Sequence, residues 1–296
     1  MKQGFVKVAS ATPRIRVADP VYNAQVICEQ AKEAAEHGAK IVVFPELCIT
    51  GYTCNDLFLQ ELLLEKAKEA LLTIAEETGQ LETLFLVGLP VDKDGRLYNV
   101  AAVLYRGRIL GMIPKKNIPM YAEFYEGRHF TPGEETVTEY RRGKQMLPFG
   151  SNLLFRCEEL PELILGCELC EDLWVAEPPS TSHALMGATV IANLSASNET
   201  VSKDDYRTLL IKASSARLLC GYIYTSAGEG ESTQDLVFGG HDLIAENGTL
   251  LVQSARFTTG ILYTDLDVLK ISSERRRMGT FGKRPMKPYL TVPFSM

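Results

Sequence analysis

The stretch Leu163–Trp174 reads LILGCELCEDLW and sets Cys167 and Cys170 three residues apart at the end of an apolar run. Strand alternation puts Leu163, Leu165, Cys167 and Leu169 on one face, and Ile164, Gly166, Glu168 and Cys170 on the other. The regular pattern stops near Cys170, where Glu171 and Asp172 open a turn. A cysteine at such a turn is placed like the nucleophile of an α/β-hydrolase elbow, exposed at a strand end with the next backbone N–H free to hold an oxyanion. Two other readings compete. A C-x-x-C pair can bind zinc or cycle a disulfide, but zinc needs four ligands and Cys28, Cys48, Cys54, Cys157 and Cys220 offer no second pair at that spacing. A redox pair would sit just before a helix, whereas Cys167 falls inside the strand. Both cysteines could also be inert core. The pattern favours Cys170 as nucleophile with Cys167 as packing.

On either side, short apolar runs alternate with longer amphipathic ones. Phe5–Ser10, Lys40–Phe44, Thr83–Pro90, Leu153–Phe155, Leu163–Cys167, Thr189–Leu194, Tyr222–Ser226 and Ile261–Leu266 read as strands. Asn23–His37, Leu59–Glu77, Ser180–Met186 and Asp205–Leu219 have helical spacing, the first of them stopped by Gly38. Asn99–Tyr105 and Arg108–Ile113 flank "RG", and Asp242–Ala245 and Leu250–Gln253 flank "ENG", as hairpins do. Helical crossovers mixed with hairpins make this an α/β chain whose sheets are covered by helices on one face and by each other on the second. Residues 1–270 read as one domain, and 271–296 as a tail or the start of a linker. The segment from Pro119 to Gln145 has no clear period and reads as a long functional loop.

The 296 residues are 46% hydrophobic, enough for a large core. A net charge of −6 argues against a nucleic-acid face, and Arg275-Arg276-Arg277 reads as a solvated cluster or subunit contact. No apolar run reaches the ~18 residues of a membrane span. Seven scattered cysteines are not a disulfide framework and point to a reducing cytoplasm.

Two further strand ends carry chemistry. In AKIVVFPELCITGY (39–52) an apolar strand runs into Pro45 and Glu46, at the carboxyl edge where α/β sites gather. In RILGMIPKKNIPMYAEFYEG (108–127) another strand ends in Lys115-Lys116, one of which would be drawn inward toward a carboxylate. A thiol near pKa 8.5 needs a base. His37, His129, His183 and His241 do not fall at strand ends with obvious orienting groups. A carboxylate in a dry pocket can serve, and Glu46 fits.

The blocks "FPEL…TGY", "PKKNIP" and "CELCEDLW" resemble the nitrilase (carbon–nitrogen hydrolase) superfamily. "NLSASNETVSKDDYR" (193–207), "YIYTSAGEGESTQDLVFGGHDLIAENGTLL" (222–251) and "SARF" (254–257) narrow the resemblance to the glutaminase domains of glutamine-dependent NAD synthetases, over nearly the whole chain. The resemblance implies a four-layer α-β-β-α sandwich that hydrolyses glutamine through a cysteine thioester. It implies Glu46 as general base, Cys170 as nucleophile, and Lys115 as the catalytic lysine, three residues before the Ile118 of its motif. Glu126 of "EFYEG" would support the lysine and base, and the backbone N–H of Glu171 would join Lys115 at the oxyanion. Tyr121, Ser197 and Lys203 would bind glutamine, with Tyr52 and Trp174 walling the pocket; the family often has arginine where Lys203 stands, which weakens the expected bidentate grip.

No metal or cofactor is expected in this chain. The pyrophosphate loop of the synthetase half is missing, so ATP and magnesium would belong to an absent synthetase domain, the expected partner. "SAGEGES" (226–232) is no substitute, lacking a lysine and holding two glutamates. Homo-oligomers are expected by analogy; nucleic acid and membrane are not expected as partners. The alternatives are a stand-alone amidase on another small amide and a catalytically silent assembly module.

Overall fold

The computed structural model describes residues 2–143, 145–282 and 288–296. In chain order its elements are β1 (Phe5–Thr12), α1 (Pro20–Glu36), β2 (Ile41–Val43), α2 (Glu61–Glu77), β3 (Leu84–Lys93), β4 (Arg96–Tyr105), β5 (Arg108–Pro114), β6 (Thr138–Arg142) and β7 (Gln145–Phe149). The second half continues with β8 (Leu153–Cys157), β9 (Ile164–Leu169), α3 (Pro179–Leu185), β10 (Val190–Ser195), α4 (Lys203–Leu218), β11 (Gly221–Ser226), β12 (Leu243–Glu246), β13 (Thr249–Gln253), β14 (Gly260–Asp267), α5 (Val268–Arg277) and β15 (Leu290–Phe294).

Two mixed sheets result, ordered β14-β1-β2-β3-β4-β5-β7-β6 and β13-β12-β11-β10-β9-β8-β15. β1, β2 and β3 are parallel neighbours crossed by α1 and α2, and β9, β10 and β11 are parallel neighbours crossed by α3 and α4. Strand alternation divides the apolar residues into layers. Ala9, Val42, Phe85 and Val87 face α1 and α2. Val8, Val43 and Leu86 face Leu165, Cys167 and Leu169 of the other sheet. Ile191, Tyr222 and Tyr224 face Ile211 and Leu218 of α4. This is the expected four-layer α-β-β-α sandwich. The "RG" turn between β4 and β5 has φ of 46° at Arg106 and 75° at Gly107, the primed geometry that matches strand twist.

The chain departs from expectation at its C-terminal end and in its loop. The segment set apart as a tail from residue 271 packs with the body. α5 straddles the boundary with Val268 and Ile271 buried, and β15 adds a parallel edge strand beside β8, with Phe294 in the inter-sheet core. Residues 283–287 of that proposed tail lie outside the described residues. Arg275 is no solvated residue: its guanidinium donates to the carbonyls of Leu219 (2.9 Å), Leu218 (3.0 Å), Ala188 (2.6 Å) and Gly187 (3.4 Å), closing the C-terminus of α4. Arg276 and Arg277 are exposed as read. The loop after Lys115 ends earlier than Gln145, because Thr138–Arg142 and Gln145–Phe149 pair as an antiparallel edge hairpin. Its charged, exposed residues masked the strand pattern.

Candidate active site

The parallel strands of both sheets deliver their carboxyl ends to one region. After β2 the chain turns over β3, and Gly88 permits it: a Cβ there would lie 2.3 Å from Leu47 N and 2.6 Å from Pro45 O. Glu46 at this turn is fully buried. Its Oε1 accepts from Asn99 Nδ2 and from Lys115 Nζ, both at 2.7 Å, and its Oε2 accepts from Ala196 N at 2.9 Å.

Lys115 follows the last residue of β5, its N–H donating to Asn99 O (2.8 Å) and its C=O accepting from Gly133 N (2.7 Å). Its Nζ, with no exposure, also donates to Glu126 Oε1 at 2.5 Å. Burial works against this ammonium, but Glu126, Glu46 and Cys170 outweigh it and hold its pKa well above the usual lysine value. Lys116 turns outward to Glu135 (2.5 Å). Glu126 sits in the 3-10 turn Glu126–Arg128, and Tyr52 Oη donates to its Oε1 at 2.8 Å. Burial raises the Glu126 carboxyl's pKa, with Lys115 opposing and Glu46 adding. Tyr52 is largely buried, its hydroxyl turned to Glu126, and it lines the cavity that Glu126 and Glu123 also line.

Cys170 begins the 3-10 turn Cys170–Leu173 directly after β9, with φ of 39°, a left-handed value that residues with a Cβ rarely adopt. Its thiol is buried, and that burial raises its pKa; Glu46 adds to the rise and Lys115 opposes it. Burial thus favours the neutral thiol over the thiolate. Asp172 locks the two loops together: Oδ1 accepts from Asn117 N (2.8 Å) and Nδ2 (2.7 Å), and Oδ2 accepts from Leu169 N (3.0 Å). Asp172 thus ties the lysine loop to the cysteine elbow. Glu171 N–H is the second of the turn, a position without an intrahelical acceptor.

The remaining expected residues flank this centre. Tyr121 Oη donates to both carboxylate oxygens of Glu171 at 3.0 Å, on an exposed part of the loop. Lys203 Nζ lies 5.2 Å from the Trp174 ring centre and 5.5 Å from that of Phe124, and donates to Asn198 Oδ1. Partial burial lowers its pKa. Ser197 Oγ accepts from Arg207 Nη2 at 3.2 Å. Arg207 is wholly buried and also donates to Glu199 (2.8 Å) and Asn198 O (3.1 Å). The "SAGEGES" loop supports the site: Glu231 accepts from Tyr52 N (2.7 Å) and Thr53 N (3.0 Å), capping the 3-10 helix Tyr52–Leu59. Ser232 then lines a cavity beside Tyr52 and Glu126.

Sequence reasoning missed Asn99, which reaches both Glu46 and, at 3.3 Å, Glu126. It also missed Asp172, Asn193, Arg207 and Glu231. The available signal was a polar side chain inside an apolar strand, as in "LYNVAAV" and "TVIANLS". Among the described residues no cluster of histidine, cysteine or acidic groups is arranged to hold a metal ion, and no helix is long and apolar enough to cross a membrane.

The carbon-nitrogen hydrolase family matches residues 7–276. A glutamine-dependent NAD(+) synthetase of Mycobacterium tuberculosis is 43% identical over 282 residues, which cover 95% of this chain and 42% of that protein. That of Thermotoga maritima is 31% identical, over 97% of this chain and 47% of the relative. The chain thus spans less than half the length of these curated relatives. The crystal structure of a glutamine-dependent NAD(+) synthetase from Cytophaga hutchinsonii superposes with a TM-score of 0.80 at 28% identity, covering 88% of this chain and 43% of that one. An amidase from Nesterenkonia sp. shares the fold at a TM-score of 0.70 and 20% identity, covering 95% of this chain and 97% of that one. With its sandwich and its buried acid–lysine pair beside a strand-end cysteine, the chain belongs to the carbon–nitrogen hydrolase family.

Proposed function

We propose that the chain is a glutamine amidohydrolase that releases ammonia and glutamate through a thioester on Cys170. The observation that carries this reading is the fully buried Lys115 ammonium, shared between Glu46 at 2.7 Å and Glu126 at 2.5 Å, with the buried Cys170 at the end of β9. The relatives named glutamine-dependent NAD(+) synthetases supply the substrate.

Glu46 takes the thiol proton, and the thiolate attacks the side-chain amide carbon. This transfer moves one negative charge from Glu46 to sulfur without changing the net charge of the cleft. Lys115 stays opposite that charge throughout, so the low dielectric penalises the step little. The oxyanion is held by Lys115 and the Glu171 N–H, where one such donor contributes about 3–4 kcal/mol. Collapse breaks the C–N bond, and Glu46 returns its proton to the leaving ammonia. A water, deprotonated by Glu46, then attacks the thioester and frees glutamate and the thiol.

Lys203, Ser197 and Tyr121 bind the amino-acid end of glutamine, with Glu171 beside them, and Trp174 lies against Lys203. The ammonia feeds NAD synthesis in a synthetase domain, the role the names of the relatives support, and this reading assigns ATP, magnesium and the amidation of deamido-NAD to that domain. Seven buried free cysteines fit a reducing, cytoplasmic setting. Self-association through the helical face of α4 is part of this reading, supported by the exposure of Tyr206 and Leu209 there. The test is turnover of glutamine against asparagine and short amides. Preference for glutamine supports the reading, and preference for a simple amide replaces it with a stand-alone amidase.

A further inference from the structure

Cys170 holds a left-handed backbone conformation, and a chain of buried polar residues that take no part in the proton transfers ends on its backbone N–H through Asn193. Cys170 N donates to Asn193 Oδ1 at 3.2 Å, and Ser195 Oγ donates to the same oxygen at 2.7 Å. Asn193 Nδ2 donates to Tyr222 Oη at 3.2 Å, and Tyr222 Oη donates to Glu168 Oε1. Glu168 Oε2 accepts from Ser180 N at 2.8 Å. Glu168, Asn193 and Tyr222 are at most 1% exposed and stand on three adjacent parallel strands, Asn193 in register with Glu168.

The polarity of this chain is set from one end. In its ionised form the Glu168 carboxylate can only accept, so Tyr222 then donates to it. The tyrosine oxygen is then left to accept from the asparagine amine, and the asparagine oxygen is turned toward Cys170 N–H. Ser195 Oγ, donating to the same oxygen at 2.7 Å, backs that orientation from the other side. Commitment of the Cys170 N–H to Asn193 also leaves the next N–H, that of Glu171, as the backbone donor available to the oxyanion. The carboxyl of Glu168 is buried among neutral donors, at a cost a purely apolar packing residue would avoid. That burial lifts its pKa to about 7.

We infer that Glu168, Tyr222 and Asn193 are positioning residues that hold the Cys170 elbow by fixing its backbone N–H. The inference rests on Cys170 being the nucleophile of the proposed reaction.

The test is Tyr222→Phe, which removes one hydroxyl and keeps the ring, with Glu168→Gln as a second variant of unchanged volume. For each, three quantities are compared with the parent chain: KM and kcat for glutamine, the iodoacetamide alkylation rate at Cys170, and the thermal midpoint. The expected result is a fall of about 10- to 100-fold in kcat, matched by the alkylation rate, with KM within about twofold, since misplacing a reacting group costs rate more than binding. A folded variant with parental kcat and parental alkylation overturns the inference, and so does a loss confined to KM. If the parent chain does not hydrolyse glutamine, the functional reading fails. The alkylation ratio still decides the relay, because iodoacetamide needs no substrate pocket.

Discussion

Lys115→Met is the most informative change to the cleft. Methionine keeps the length of the side chain and removes the ammonium that Glu46 and Glu126 share at 2.7 and 2.5 Å. Two buried carboxylates then face each other without a cation, and one must take up a proton. Removing one partner of a buried pair costs about 3–5 kcal/mol. At roughly 2–3 °C per kcal/mol for a chain of this size, the thermal midpoint at pH 7 should fall by about 6–15 °C. The sign of the pH dependence follows from the raised Glu126 carboxyl. A carboxyl with a higher pKa folded than unfolded binds more protons when folded. The loss should therefore be small below about pH 4 and grow as the pH rises. Adding Glu126→Gln to Lys115→Met removes one of the two charges and should recover much of the midpoint. It should recover none of the activity, because the oxyanion donor is still gone and turnover stays down by about 10²–10³-fold. Differential scanning calorimetry from pH 4 to 8 and an ammonia-release assay read both. A Lys115→Met chain with an unchanged midpoint and near-parental turnover would refute this account of the pair.

Other outcomes follow from the same geometry. Tyr52→Phe removes the hydroxyl from Glu126 Oε1 and should cost about 1.5–3 kcal/mol, read as a lower thermal midpoint with reduced kcat. Glu231→Ala uncaps the 3-10 helix Tyr52–Leu59 and should cost about 0.5–2 kcal/mol in urea unfolding. Asp242, buried between the sheets against Thr12 and Ser226, has its pKa raised by burial to about 7. Its protonated form is favoured by folding, so stability should decline as the pH rises from about 4 through 7, and Asp242→Asn should flatten that slope in a midpoint-against-pH series.

The layers, and the strand ends that carry the three groups proposed to react, were legible because their signals are local. Glu46 ends the apolar run of β2, Cys170 ends that of β9, and the hairpin dipeptide "RG" gives its turn away. Choosing Lys115 over Lys116 needed the family resemblance, since a doublet at a strand end has no internal asymmetry; the structure shows one lysine inside and one on Glu135. Asn99, Asn193 and Glu168 stayed hidden because alternation reads a single polar residue in an apolar strand as noise, and their partners are distant in sequence. Arg275 looked like one of three surface cations, and only tertiary contact with the end of α4 separates it from Arg276 and Arg277. β15 was missed for a similar reason. Its pairing with β8 spans well over a hundred residues, and Pro293 disguises it as an irregular end.

The central claim is that Cys170, alone of seven cysteines, is the nucleophile for a glutamine side chain. Incubation with a diazo-ketone analogue of glutamine, followed by intact-mass measurement and peptide mapping, tests it directly. The expected result is one adduct per chain, on Cys170, formed more slowly when glutamine is present. No adduct, or label spread over Cys28, Cys48 and Cys54 with Cys170 unmodified, would contradict it.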